Sequence, residues 1–90
     1  MNRTEFEADV VREGYTFREG GLEPNQHTRL HTHDFDARVF VLEGSITLDY
    51  GEERRTYLPG DFYTLLAGIT HAEHTEACGV KYVAALRTPA

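Results

Sequence analysis

Glycines recur through the second half of this chain at Gly44, Gly51, Gly60, Gly68 and Gly79, at intervals of seven, nine, eight and eleven residues. That rhythm favours short extended segments joined by tight turns, as in an antiparallel sandwich or barrel, over helices, which need longer uninterrupted runs. The intervals are rich in Val, Ile, Thr, Tyr and Phe, side chains suited to a pleated, half-buried surface. Strands are expected near residues 6–11, 15–19, 26–33, 38–43, 45–50, 54–58, 61–66, 70–76 and 80–87. Pro59-Gly60 marks a turn, because Pro fixes φ and Gly accepts positive φ. The first segment admits two readings. Thr4-x-x-Glu7 fits a helix capping box, with Phe6 and Val10 one turn apart. Alternation of inward Phe6, Ala8 and Val10 with outward Glu5, Glu7 and Asp9 fits a strand, and the strand is the expectation here. Ninety residues make one domain, 1–90, near the small end of what folds alone. An all-β chain of this size must also cover its strand edges, by closing a barrel or by pairing with a second copy, and the barrel is expected.

Fifteen acidic against nine basic side chains give a net charge of −6. That balance argues against nucleic acid or an anionic membrane as partner, since both rely on a basic face. No apolar run approaches the roughly 18 residues needed to span a bilayer, and MNRTEFEADVV carries no signal-peptide core. Cys78 is the only cysteine, so no internal disulfide can form, and a reducing compartment, the cytoplasm, is expected.

The five histidines fall into two groups, His27, His31 and His33, then His71 and His74. In a strand, side chains two apart share a face, so His31-Thr32-His33 aims two imidazoles the same way, within reach of one divalent ion. The alternative is a pair of polar residues on a solvated face. His27 has the same parity if no bulge intervenes. In the second group, Gly68, Ile69, Thr70 and Gly79 suggest a strand, which puts His71 and Glu73 on one face and His74 on the other. His71 is therefore the candidate ligand and Glu73 its same-face carboxylate, while His74 reads as a surface or core histidine. Asp34 and Asp36 suit a turn through their own backbone hydrogen bonds, although either could join the histidines as a carboxylate ligand. Arg38 could pair with Asp36 or hold an anionic substrate. Tyr50, Tyr57 and Tyr63 read as packed rings, Arg54-Arg55 after Glu52-Glu53 as a solvated hairpin, and Cys78 as a small buried or turn residue. No phosphate-binding glycine loop and no G-x-S-x-G elbow is present.

These residues in this order resemble the cupin superfamily, small β-barrels with two metal-site motifs. The first motif spans about 25–44 (HTHDFDARVFVLEG at its core), with His31, His33 and Gly44 in place, and the second spans about 60–75 (GDFYTLLAGITHAEHT), with Gly60, Gly68 and His71 in place. The resemblance implies a double-stranded β-helix, a jelly-roll-like barrel. It also implies a site for one divalent transition metal (Fe, Mn, Ni, Zn or Cu), held by His31, His33 and His71. A homodimer is implied too, and the N-terminal strand around Phe6 to Val11 would be its swapped or edge-pairing element. Asn25 departs from the family's Gly, Leu66 from its Pro and Thr75 from its Asn. Ala37 stands where a Glu ligand belongs, and the longer spacing puts Arg38 there, which cannot ligate a cation.

Three outcomes follow for the site: three histidines with open positions, a carboxylate supplied by Glu73 or Asp36, or a site that no longer binds metal. The leading functional expectation is a metal-binding cupin acting on a small organic molecule, of dioxygenase, isomerase or lyase type, with Glu73 as general base or fourth ligand. The alternatives are a cupin that binds or senses a small ligand without turnover, and a purely structural barrel.

Overall fold

The segment Ala37 to Leu42 is apolar on both parities from Val39 onward, and such a segment needs cover on both faces. In the computed structural model, which describes residues 1–89, it has both. This segment belongs to β2 (Asp36–Gly44), which lies inside a four-stranded antiparallel sheet with β1 (Thr16–Leu22), β7 (Val80–Arg87) and β5 (Phe62–Leu65), in the order β1-β7-β2-β5. A second, three-stranded antiparallel sheet, β4-β3-β6, comprises β4 (Arg54–Tyr57), β3 (Ile46–Asp49) and β6 (Ala72–His74). Together the two sheets form the expected jelly-roll-like all-β sandwich.

Alternation along β2 sorts its side chains between two cores. Val39 and Val41 point inward and pack with Ile46, Leu48, Tyr63 and Val80 between the sheets. Phe40 points outward and packs with Val83 and Ala85 of β7. The outer layer is closed by α1 (Arg3–Arg12), whose buried Phe6 and Val10 lie on this face, the Phe6 ring 5.5 Å from that of Phe40.

The N-terminal segment is therefore a helix and not the expected strand. Its capping box is one half-turn earlier than Thr4-x-x-Glu7: the Asn2 side chain accepts from the Glu5 N–H (2.9 Å), and the Glu5 carboxylate accepts from the Asn2 N–H (3.2 Å). Ala8, inward in the strand reading, is exposed. Phe6 and Val10 of this helix pack on the chain's own sheet, so the segment offers no N-terminal strand for edge pairing.

The segment expected as strand 26–33 is also different. It is a loop touching β6 through two isolated bridges, His27 with His74 and His31 with His71. These bridges are offset by one residue, so no regular ladder runs between them. Asn25 takes φ +54, the left-handed region that Asn tolerates better than most residues, which accounts for Asn where the family has Gly. Thr75, in place of the family's Asn, is buried. Its hydroxyl accepts from the Gln26 N–H (2.9 Å) and donates to the Glu23 carbonyl (2.6 Å), fastening this loop to the end of β6. At Gly44 the backbone has φ +76, and a Cβ would stand 2.1 Å from the Gly79 carbonyl oxygen, so only glycine fits. Among the described residues, no helix is long and apolar enough to cross a membrane.

Candidate metal centre and cavity

His71 reaches the site from the start of β6, and Glu73 follows two residues later on the same face, as strand alternation requires. Glu73 is held at its backbone: its N–H donates to the Thr28 hydroxyl (2.8 Å), and its carbonyl accepts from the Thr28 N–H (3.0 Å). His31 arrives from the loop through reciprocal backbone bonds with His71, both 2.9 Å. The result is a cluster in which one ligand atom each from His31, His71 and Glu73 lies within 4.8 Å of the others. Glu73 Oε1 stands 3.6 Å from His71 Nε2 and 3.9 Å from His31 Nε2, beyond hydrogen-bond length.

The imidazoles are oriented alike. His31 Nδ1 donates to the Arg29 carbonyl (2.7 Å), His33 Nδ1 to the Phe35 carbonyl (2.8 Å) and His71 Nδ1 to the Ile69 carbonyl (2.9 Å). A carbonyl oxygen only accepts, so each Nδ1 carries the proton and each neutral ring keeps its lone pair on Nε2. That is the arrangement by which an outer hydrogen bond orients a metal-binding histidine. His71 Nε2 has no hydrogen-bond partner, although the side chain is fully buried; it is the only such buried side-chain nitrogen or oxygen among the described residues. A buried, unpaired polar atom costs about 1–3 kcal/mol, and a cation between it and Glu73 would remove that cost. The donor set fits a divalent transition metal.

His33 stands beside this cluster and not within it. Its ring stacks on Phe35 (centroids 4.1 Å apart) and meets the His71 ring edge-on at 5.1 Å. His27 and His74 form a separate pair, Nδ1 to Nδ1 2.8 Å, with Glu76 on His74 Nε2 at 3.0 Å. Asp34 is exposed in the bend before β2.

Asp36 is not part of this cluster, and both of its carboxylate oxygens are engaged elsewhere. One oxygen accepts from the Ala67 N–H (2.9 Å) and the other from the Arg87 guanidinium (3.1 Å). The Ala67 N–H first, and then Arg87, hold its pKa below the ordinary carboxylate value. Arg38 does not pair with Asp36 as expected: it lies on the outer face over the Phe6 ring and binds Glu13 at 2.7 Å. The Asp36 contribution is fully present above the unfolded carboxyl pKa and is lost as pH falls through the depressed folded value. Asp36→Asn is therefore expected to lower Tm at neutral pH and to flatten the loss of Tm below about pH 4, measured by thermal melts across pH. An unchanged acid profile would remove Asp36 as the group responsible.

Behind the cluster lies a cavity of about 360 Å³ between the sheets. Its floor is apolar, with Ala37, Val39, Leu65, Ala84 and Leu86, and Glu73 and His33 reach its wall. Ala37, where the resemblance puts a glutamate, is among the residues that line the cavity. Burial, reinforced by the Glu73 charge, raises the phenol pKa of Tyr63 well above its usual value and also raises that of Tyr82, so both remain protonated donors at neutral pH. Tyr57 packs on Tyr63 with centroids 4.7 Å apart, as expected for core rings, and burial pushes the Tyr50 phenol up to about 12.

Among the described residues, seven antiparallel strands in two sheets, with imidazoles and a carboxylate grouped beside a cavity, define a small jelly-roll-like β-sandwich. The chain belongs to the cupin family: residues 18–78 match the family model described as the cupin domain. Solved structures agree on the fold. A protein of unknown function from Rhizobium leguminosarum superposes with TM-score 0.76 at 23% identity, covering 83% of this chain and 71% of that one. A cupin-2 domain protein from Shewanella frigidimarina gives 0.68 at 21%, covering 83% and 71%. The polyketide cyclase RemF from Streptomyces resistomycificus gives 0.69 at 23%, covering 80% of this chain and 53% of the cyclase. At these identities the likeness concerns the fold alone. No curated protein matches the chain.

Proposed function

We propose that this cupin domain binds a divalent transition metal through His31, His71 and Glu73, with His33 adjacent, and acts on a small organic molecule held in the neighbouring cavity. The observation that carries this reading is the buried, unpartnered Nε2 of His71 facing the Glu73 carboxylate. Glu73 takes the ligand role that Ala37 has vacated, supplied from the opposite sheet. A divalent ion at this place supplies Lewis acidity towards a carbonyl or hydroxyl oxygen, and iron would add dioxygen chemistry.

The chain's own residues do the rest. Apolar side chains on the floor exclude water and hold the body of the substrate, while the neutral phenols of Tyr63 and Tyr82 donate hydrogen bonds to it. The same fold carries a polyketide cyclase, so the scaffold is compatible with chemistry of dioxygenase, isomerase or lyase type on a small organic molecule.

The test is elemental analysis of protein purified without a polyhistidine tag, alongside His31→Ala and His71→Ala. Near-stoichiometric transition metal is expected in the parent and none in either variant, with both variants folded by circular dichroism. A variant with full metal occupancy would overturn the ligand assignment.

A further inference from the structure

Among the described residues, Arg18 is the one cationic side chain that lines the cavity, and no carboxylate stands within ion-pair distance of it. Antiparallel register sets Arg18 of β1 opposite Ala84 of β7, Ala84 opposite Val39 of β2, and Val39 opposite Tyr63 of β5. These four share the inner face of the sheet, so the guanidinium is on the same row as the cavity floor. Arg18 lines the cavity, and its charge acts on the phenol of Tyr82. Seven of the nine basic side chains are engaged in ion pairs. Among the described residues, Arg18 and Arg29 have no acidic partner, and Arg29 is not at the cavity. Glu19, at the cavity rim, is 3.3 Å from Arg3. Arg18 is exposed to solvent, so its guanidinium is open to a ligand entering the cavity.

We propose that the cavity takes a small carboxylic acid with an apolar body, its carboxylate bound by Arg18 and its opposite end directed towards Glu73 and the histidines. This rests on the reading of the cavity as a substrate site and adds the class of molecule that fills it. Arginine suits the task because its planar fork matches the two oxygens of a carboxylate. The space in front of it is kept by small side chains, Gly20, Ala84 and Ala37. At Gly20 a Cβ would stand 3.1 Å from the Tyr82 ring, so a larger residue there would crowd that ring. The competing explanation is that Arg18 protects an edge: β1 ends its sheet, and inward charges discourage strand addition.

The experiment titrates isotope-labelled full-length protein, as purified and after metal removal, with acetate, hexanoate, benzoate and phenylacetate, and with the amide of each. Backbone shifts and calorimetry report binding, and elemental analysis reports metal. At least one carboxylate is expected to bind 10-fold or more tightly than its amide, in both metal states, and to shift Arg18, Ala84 and Val39. Arg18→Ala should lose that preference while keeping its metal, and Arg18→Lys should retain part of it. The proposal is overturned if no acid is preferred over its amide, or if Arg18→Ala binds the acid as the parent does. It is equally overturned if Arg18→Ala changes only self-association, which would assign Arg18 to edge protection. Absence of metal in the parent would count against the metal centre alone, because the carboxylate preference is read in metal-free protein as well.

Discussion

Truncating Phe6 to alanine is expected to destabilise the domain by about 3–5 kcal/mol, the range for removing a fully buried phenylalanine. The size of the effect follows from what Phe6 covers. Helix α1 has ten residues, too few to persist alone in water, and it is retained by docking. Phe6 and Val10 are its two buried side chains, and they cover Phe40, Val83 and Ala85 on the outer face of the four-stranded sheet. Without the Phe6 ring, that apolar face is left with a void or with water. For a domain of this size the loss corresponds to a fall in Tm of about 15–30 °C, which a thermal melt reads directly. Val11→Ala, on the solvent side of the same helix, is the control and should stay within about 0.5 kcal/mol of the parent. A loss for Phe6→Ala no larger than that of the control would mean that α1 is not an anchored layer.

The second large effect concerns Glu73. Replacing it with alanine should weaken metal binding by at least about 100-fold, because even the loss of an outer hydrogen bond to a ligand costs 10–100-fold. Stability of the metal-free protein should change little, since the Glu73 carboxylate makes no hydrogen bond of its own and the bonds holding the residue to Thr28 are made by its backbone. Ala37 offers a sharper form of the experiment. It lines the same cavity from the facing sheet, at the position where the resemblance implies a glutamate ligand. Ala37→Glu combined with Glu73→Ala is expected to recover a substantial part of the lost affinity, measured by calorimetric metal titration. Unchanged affinity in Glu73→Ala would remove the carboxylate from the metal centre.

Glycine spacing and β-rich intervals were enough to mark the strands from β2 onward, because turns and side-chain preferences are local properties. The first segment misled for a specific reason. Phe6 and Val10 are four apart, a spacing that fits one face of a helix and one face of a strand equally well. What decides between them is Asn2-x-x-Glu5, a box at the very start of the chain, together with the outer face of the sheet, which wants a cover. The loop from 26 to 33 misled differently: its histidines resemble a strand pair, but their partners lie some forty residues away and are offset by one. Ala37 was legible as a missing ligand. That Glu73 stands with His31 and His71, while Asp36 is bound by Arg87, depends on strand pairings that no local pattern encodes. Arg18 was silent in the sequence for the same reason, since its place on the cavity row follows from the register of β1 with β7.

The order β1-β7-β2-β5 has a consequence for how the chain comes into being. A ribosome releases β1 and β2 long before Val80–Arg87, the strand that must lie between them. Until it emerges, β2 keeps an open edge, and its Val39–Leu42 stretch is free to pair with any extended segment it meets. The sheet therefore cannot be assembled in the order in which it is made: one of its two central strands, β7, is the last of the four in chain order, and a chain cut before residue 80 would leave β1 without a strand to pair with.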